Sequence, residues 1–253
     1  YSRAIADGAL LALIACLGLA QLSHEATGYL AQLACTTLIF FAVATLPYHT
    51  VAPAVAVVVG MVGLTLAGAP ALAALLGAGS IALVALAQAI PSERRLRWAV
   101  MLAIVTLLAA MLAWQLDLWR WRLVDAATEG KEFKSLIRLL LWFGWPAWPM
   151  AAWTLWRWRK QLFNRQMHHH LWLPLWFSLV SVGATFTTQP ADRALLVGLP
   201  AIATLAAFAL PTFRRSMAAL IDWFTLLFFS ISALAIWVIW FAMQTGVPAK
   251  PAA

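Results

Sequence analysis

Basic side chains between Leu116 and Arg138 form the most informative polar feature of the sequence. Five basic residues are interspersed with four acidic ones along this segment: Asp117, Arg120, Arg122, Asp125, Glu129, Lys131, Glu132, Lys134 and Arg138. Fixed cations bind phosphate through charge-assisted hydrogen bonds. We predict that Asp125 begins an amphipathic helix, because a short acidic side chain accepts the free N–H groups of a first turn. Lys131 and Lys134 would then face a lipid phosphate at the membrane surface. The alternative is a solvated loop whose charges nearly cancel.

Arg193 is a second candidate for phosphate binding. It follows Asp192 in a short polar loop, at the start of an apolar segment. A guanidinium group can hold a phosphate through two parallel hydrogen bonds. The alternatives are an ion pair with Asp192 or a side chain that extends to the membrane interface.

Other reactive residue types give weaker signals. His168, His169 and His170 are adjacent, so their side chains would point in different directions on a helix, and no Cys or carboxylate stands close by. We predict an interfacial cluster there and no metal site. Cys16 and Cys35 lie within apolar segments and are predicted to be buried. The sequence has no Walker loop, paired-cysteine motif or serine nucleophile elbow, so the catalytic residues stay unknown and no cofactor is predicted.

The apolar composition determines which elements must position the cations. The chain has 253 residues, of which 64% are hydrophobic and 10% charged, whereas soluble domains are about 25% charged. Segments of about 20 apolar residues cross a bilayer as helices, because every backbone polar group must be paired within the segment. We predict an all-α polytopic transmembrane bundle of about nine spans. The spans are Ala4–Gln21, Tyr29–Pro47, Val51–Leu66, Ala71–Ile90, Trp98–Trp119, Leu139–Trp156, Leu171–Thr187, Ala194–Leu210 and Ala219–Met243.

Charge distribution predicts the orientation and the partners. We treat 1–253 as one transmembrane domain, with Ala/Gly-rich helices in 1–97 and Trp-rich helices in 98–253 that include the external loop 116–138. The net charge of +8 comes from short basic clusters between apolar segments. These clusters favour membrane lipids as partners over nucleic acid. Placing most of them inside puts the N-terminus in the cytoplasm and the C-terminus in the periplasm of a bacterial inner membrane.

Two segments in the second half resemble a known family. The aromatic and proline-rich run 142–149, followed by Trp156 to Arg159, is similar to a late membrane helix of bacterial glycosyltransferases of the GT-C type. These enzymes are related to the protein mannosyltransferases and the lipid A aminoarabinose transferases. The run from Asp192 to Pro200 resembles that family's Arg-Tyr-x-x-Pro-x-x-Pro element: Arg193 and Pro200 keep the spacing, whereas Ala194 replaces the Tyr and Val197 the first Pro. The resemblance covers about 138–213.

The resemblance implies transfer of a sugar from a polyprenyl-phosphate donor to a periplasmic acceptor. It also implies that Arg193 binds the donor phosphate, with Lys131, Lys134 and Arg138 as further candidates. In this family the acidic catalytic residue lies in a large first external loop, but here the loop from Leu22 to Gly28 is short. We therefore expect a chain truncated at its N-terminus, with the catalytic half upstream of Tyr1.

Two other functions remain open. A transporter or a flippase-like carrier of lipid-linked substrates is one, although ion-driven transporters usually have ionisable groups at mid-membrane. Asp7 and Asp222 instead lie near predicted helix ends, close to basic residues. The other is a non-catalytic membrane scaffold.

Overall fold

The computed structural model describes residues 2–22, 27–88, 90–119, 130–162, 168–186, 191–213 and 215–245. Within these ranges all regular secondary structure is helical, which confirms the predicted all-α class. The elements are α1 (Ser2–Ile14), α2 (Leu17–Leu22), α3 (Gly28–Thr45), α4 (Val51–Leu66), α5 (Pro70–Leu86), α6 (Ser92–Gln115), α7 (Gly130–Phe143), α8 (Ala147–Arg157), α9 (Arg159–Leu162), α10 (His169–Thr185), α11 (Ala191–Leu196), α12 (Leu199–Ala207), a 3₁₀ turn (Leu210–Thr212) and α13 (Arg215–Thr245).

The length and apolar composition of several helices indicate a membrane protein. Four helical segments of the described residues have the length and apolar composition to cross a bilayer. They are Gly28–Thr45, Ser92–Gln115, Ala194–Thr212 and Asp222–Thr245, and the shorter apolar helices Val51–Leu66 and Pro70–Leu86 accompany them.

The chain forms two compact units, Tyr1–Ala209 and Leu210–Ala253. The second unit consists mainly of α13, whose large apolar side chains are exposed along most of its length: Trp223 is 66% and Phe229 61% exposed. A helix that is apolar on all sides and unburied in the protein is suited to contact with lipid.

One apolar core of the first unit lies between α3, α4, α5, α6 and α10. Ile39, Met61, Leu102 and Phe177 are almost fully buried in it. At Gly60 an added Cβ would lie 2.9 Å from the Cys35 carbonyl oxygen, so glycine allows α3 and α4 to pack at short range.

Two polar contacts tie the ends of these helices together. The Arg94 guanidinium donates a hydrogen bond to the Pro47 carbonyl at 3.1 Å. The Gln32 amide donates to the Ala67 carbonyl at 2.8 Å. The loop after α3 therefore lies next to the start of α6. In the same way, the loop after α4 lies next to the start of α3.

A second core is built from shorter helices, and here the predicted spans need correction. Two of the predicted continuous spans are divided: Ala4–Gln21 at Ala15 and Cys16, and Leu139–Trp156 at residues 144–146. A third, Ala194–Leu210, has a two-residue turn at Val197 and Gly198 but keeps the length and apolar composition of a membrane span. Pro146 explains the second interruption, because proline has no N–H and its ring clashes with the preceding turn. Pro149 lies in the first turn of α8, where it is tolerated.

Candidate functional site

The interruption between α1 and α2 lies against the interruption between α7 and α8. The backbone N–H of Leu17 donates to the Trp145 carbonyl at 3.1 Å. The Cys16 thiol lies 4.0 Å from the Gly144 carbonyl and 3.1 Å from the Ala12 carbonyl, to which it donates. Two irregular backbone segments thus supply partners for each other, which lipid could not do.

Trp148 satisfies further backbone groups at the same place. The last carbonyls of α7 have no partner inside their own helix. The Trp148 indole N–H donates to the Leu141 carbonyl at 2.8 Å, and the Trp148 backbone N–H donates to the Gly144 carbonyl at 2.9 Å. The break at 144–146 is therefore a hydrogen-bonded feature of the fold.

Close packing fixes the two interruptions together. Phe143 is fully buried, and its ring lies so close to Gly18 that an added Cβ would overlap ring carbons. The third interruption packs elsewhere, because at Gly198 an added Cβ would lie 2.5 Å from the Ser181 Cβ. Glycine is needed at both contacts. The first holds α2 against α7, and the second holds the start of α12 against α10.

An open groove borders the α7 and α8 interruption. Its volume is about 420 Å³, and its lining consists of Leu17, Lys134, Ile137, Arg138, Leu141, Trp142 and Trp145. We call it the α7 groove. Lys134 and Arg138 are four residues apart in α7 and share one helix face. The cations line the part nearer the start of α7, whereas Leu141, Trp142 and Trp145 make the rest apolar and aromatic.

The two cations are available for a ligand. Lys134 and Arg138 are both exposed. Among the described residues, the ion pair is the one between Arg97 and Glu93. Neither Lys134 nor Arg138 is therefore paired with a described carboxylate. Their chemistry suits an anion that also carries apolar surface for the tryptophans.

The other predicted phosphate-binding residues are placed only by their backbone. Lys131 lies in the first turn of α7 and Arg193 in α11, but both side chains are outside the described residues. Helix α11 packs against α7 and α2, two helices that contribute groove residues. Arg120, Arg122, Asp125 and Glu129 lie outside the described residues, and α7 is described from Gly130.

The apolar part of the groove was not predicted from the sequence. Leu17, Trp142 and Trp145 were assigned to continuous spans, whereas the structure places them beside helix interruptions. The available signal was the Gly144-Trp145-Pro146 run, since proline inside a helical pattern interrupts it at the preceding residue. The sequence around Ala15 and Cys16 contains no pattern that predicts the interruption between α1 and α2.

The histidine cluster lies at the start of α10 and is not part of the groove lining. The His170 ring contacts His168 at 5.7 Å, Phe208 at 5.9 Å and Trp158 at 6.3 Å between centroids. Burial, with the neighbouring His170, lowers the pKa of His169, and burial with His168 lowers the pKa of His170. In the part of the chain that the structure describes, no three His, Cys, Asp or Glu side chains are grouped to hold a metal.

Comparisons of the chain with protein-family models, curated proteins and solved structures find no match. The family resemblance therefore stays a prediction from the residues quoted above.

Proposed function

We propose that this chain is a membrane glycosyltransferase of the GT-C type that holds a polyprenyl-phosphate sugar donor in the α7 groove. One observation carries the proposal. Lys134 and Arg138 stand unpaired among the described residues on the same face as Leu141, Trp142 and Trp145, in a single groove of about 420 Å³. A phosphate head and an isoprenoid tail have the matching distribution of charge and apolar surface.

The chemistry gives the cations a role in catalysis. The phosphate of the carrier gains negative charge as its bond to the sugar breaks, and fixed cations lower the energy of that transition state. Lys134 and Arg138 would hold the phosphate, with Lys131 and Arg193 as further ligands. The acidic group that activates the acceptor is assigned to no residue of this chain.

The membrane arrangement that fits this function is a nine-span bundle in a bacterial inner membrane. The N-terminus would be cytoplasmic, the C-terminus periplasmic, and the α7 groove on the periplasmic side. The Arg94 to Pro47 hydrogen bond supports the placement of these two loops on one side of the membrane, the side that this topology assigns to the cytoplasm. The Gln32 to Ala67 bond likewise joins two segments assigned to the opposite side.

Binding of a polyprenyl phosphate to the purified chain tests the proposal. The double variant Lys134→Gln with Arg138→Gln should weaken binding at least about tenfold, because hydrogen bonds to charged groups contribute about 1.5–3 kcal/mol each. Arg193→Ala should weaken binding or sugar transfer strongly and leave membrane insertion and helix content unchanged. Titration in detergent, followed by native mass spectrometry, measures the dissociation constant.

Lys160→Gln is the control for loss of a cation outside the α7 groove, because it removes an exposed cation from α9. It should bind as the unchanged chain does. Equal affinity of the double variant and the unchanged chain would remove the α7 groove from the mechanism.

A flippase-like carrier of lipid-linked substrates is the second candidate, and the helix interruptions favour it. Secondary transporters often build their substrate sites from interrupted membrane helices. Against an ion-driven carrier, every buried polar side chain of the described residues is an uncharged Gln, Thr or Ser. Reconstituted vesicles discriminate the two: movement of a fluorescent polyprenyl phosphate between leaflets, without sugar transfer, would favour the carrier.

A further inference from the structure

Helix α6 begins with a cluster of charges and continues as an apolar helix. Its first two turns contain Glu93, Arg94, Arg95 and Arg97, which leaves an excess of two positive charges. The following turns expose Val100 by 47% and Ile104 by 51%. The helix therefore passes from a cationic end to an apolar surface within a few turns.

A groove follows this transition. It has a volume of about 400 Å³ and is lined by Leu96, Arg97, Val100, Met101, Ile104 and Val105. We call it the α6 groove. From Arg97 to Val105 it extends roughly 12 Å at about 1.5 Å per residue. That length is close to the hydrocarbon thickness of one leaflet, about 15 Å.

Arg97 is the cation that can exchange its partner. The Arg94 guanidinium is held by the Pro47 carbonyl at 3.1 Å. Arg97 instead pairs with Glu93 at 3.6 Å, and the two side chains are 78% and 88% exposed. An exposed pair of this kind is weak, so a phosphate can replace the carboxylate at little cost.

We propose that the α6 groove binds one anionic phospholipid of the surrounding membrane, with its phosphate on Arg97 and an acyl chain along Val100 and Ile104. The positive excess at the start of α6 selects an anionic headgroup over a zwitterionic one. The apolar lining favours a lipid over a free anion, because an acyl chain can pack against Val100 and Ile104 and a free anion cannot. The occupant is a structural lipid and not the sugar donor.

This inference is independent of the proposed function. The α6 groove and the α7 groove share no residue. Loss of polyprenyl phosphate binding in the Lys134 and Arg138 variants would leave phospholipid binding at Arg97 intact, and the reverse holds for variants of Arg97.

Native mass spectrometry of the full chain, with phosphatidylglycerol or phosphatidylcholine added to the detergent, tests the inference. The unchanged chain should retain one phosphatidylglycerol at concentrations where phosphatidylcholine is not retained. Arg97→Gln should lower that retention about tenfold, because it removes a charge-assisted contact to the phosphate. Val100→Trp should lower it as well, because the larger side chain fills the groove and leaves every charge in place.

Lys160→Gln is again the control and should retain the lipid fully. Equal retention of the two lipids, full retention by Arg97→Gln, or an equal loss in Lys160→Gln would each overturn the inference. Displacement of the lipid by millimolar inorganic phosphate would also overturn it, since the site would then recognise a free anion.

Discussion

Whether a single cationic side chain can bind an anionic ligand depends on the group that already pairs with it. Arg97 has Glu93 one helical turn away, and Arg94 has the Pro47 carbonyl. Lys134 and Arg138 have no described carboxylate partner and share their groove with tryptophans. The same residue type therefore supports an exchangeable lipid contact on α6 and a candidate donor site on α7.

A single methyl group at Gly18 should destabilise the chain. Gly18→Ala would place a Cβ against the buried Phe143 ring, and overpacking of this kind costs about 1–3 kcal/mol. Gly183→Ala is the matched control, because no atom lies within 4 Å of its added Cβ. In a helix that change should be stabilising by about 0.5–1 kcal/mol. Unfolding in mixed micelles, followed by tryptophan fluorescence, measures both variants.

Shifts of the same sign and size in the two variants would mean that the contact between Gly18 and Phe143 does not constrain the fold.

The candidate residues were predictable only where charge identified them. Lys134 and Arg138 stand out in a chain with 10% charged residues, so their spacing alone placed them on one helix face. Leu17 and Trp145 do not stand out, because leucine and tryptophan are frequent throughout the sequence. Their place in the groove depends on contacts between segments more than a hundred residues apart, which local pattern does not encode.

At the scale of elements, interrupted helices distinguish the second core from the first. Helices α3 to α6 are continuous between their loops, whereas α1 with α2, α7 with α8 and α11 with α12 are each divided. The structure satisfies the freed backbone groups through Leu17, Trp145 and Trp148. Hydropathy predicted that these segments are apolar, but an apolar run looks the same whether its helix is continuous or divided.

A hydroxyl between α8 and α12 should stabilise this second core. Thr154 is fully buried, and its Oγ1 donates to the Leu205 carbonyl of the neighbouring helix at 2.7 Å. Thr154→Val should lower the free energy of unfolding by about 1 kcal/mol. Thr37→Val is the control, because the Thr37 hydroxyl donates to Leu33 of its own helix at 2.7 Å and links no second helix.

Unfolding equilibria of the two variants under identical detergent conditions give the comparison. A loss for Thr37→Val as large as for Thr154→Val would show that the bond between helices contributes nothing of its own.

In the whole molecule, the proposed topology places the α6 groove and the α7 groove on opposite sides of the membrane. Reaction of introduced cysteines with a membrane-impermeant maleimide tests this topology. The experiment uses a chain in which the native cysteines are removed by Cys16→Ala and Cys35→Ala. His49→Cys and Ser92→Cys should react from the same side, since the Arg94 to Pro47 bond joins their loops. Asp117→Cys, at the far end of α6, should react from the other side. Reaction of all three from one side would contradict the proposed topology.

The central claim is that the α7 groove holds a polyprenyl phosphate. A photoreactive polyprenyl phosphate, activated with the full chain in membranes and followed by peptide mapping, tests it most directly. We expect crosslinks to α7 around Leu141 and Trp142. These should be lost in the Lys134→Gln with Arg138→Gln variant and retained in Lys160→Gln. Crosslinks spread over α13, or crosslinks to α7 that persist without both cations, would contradict it.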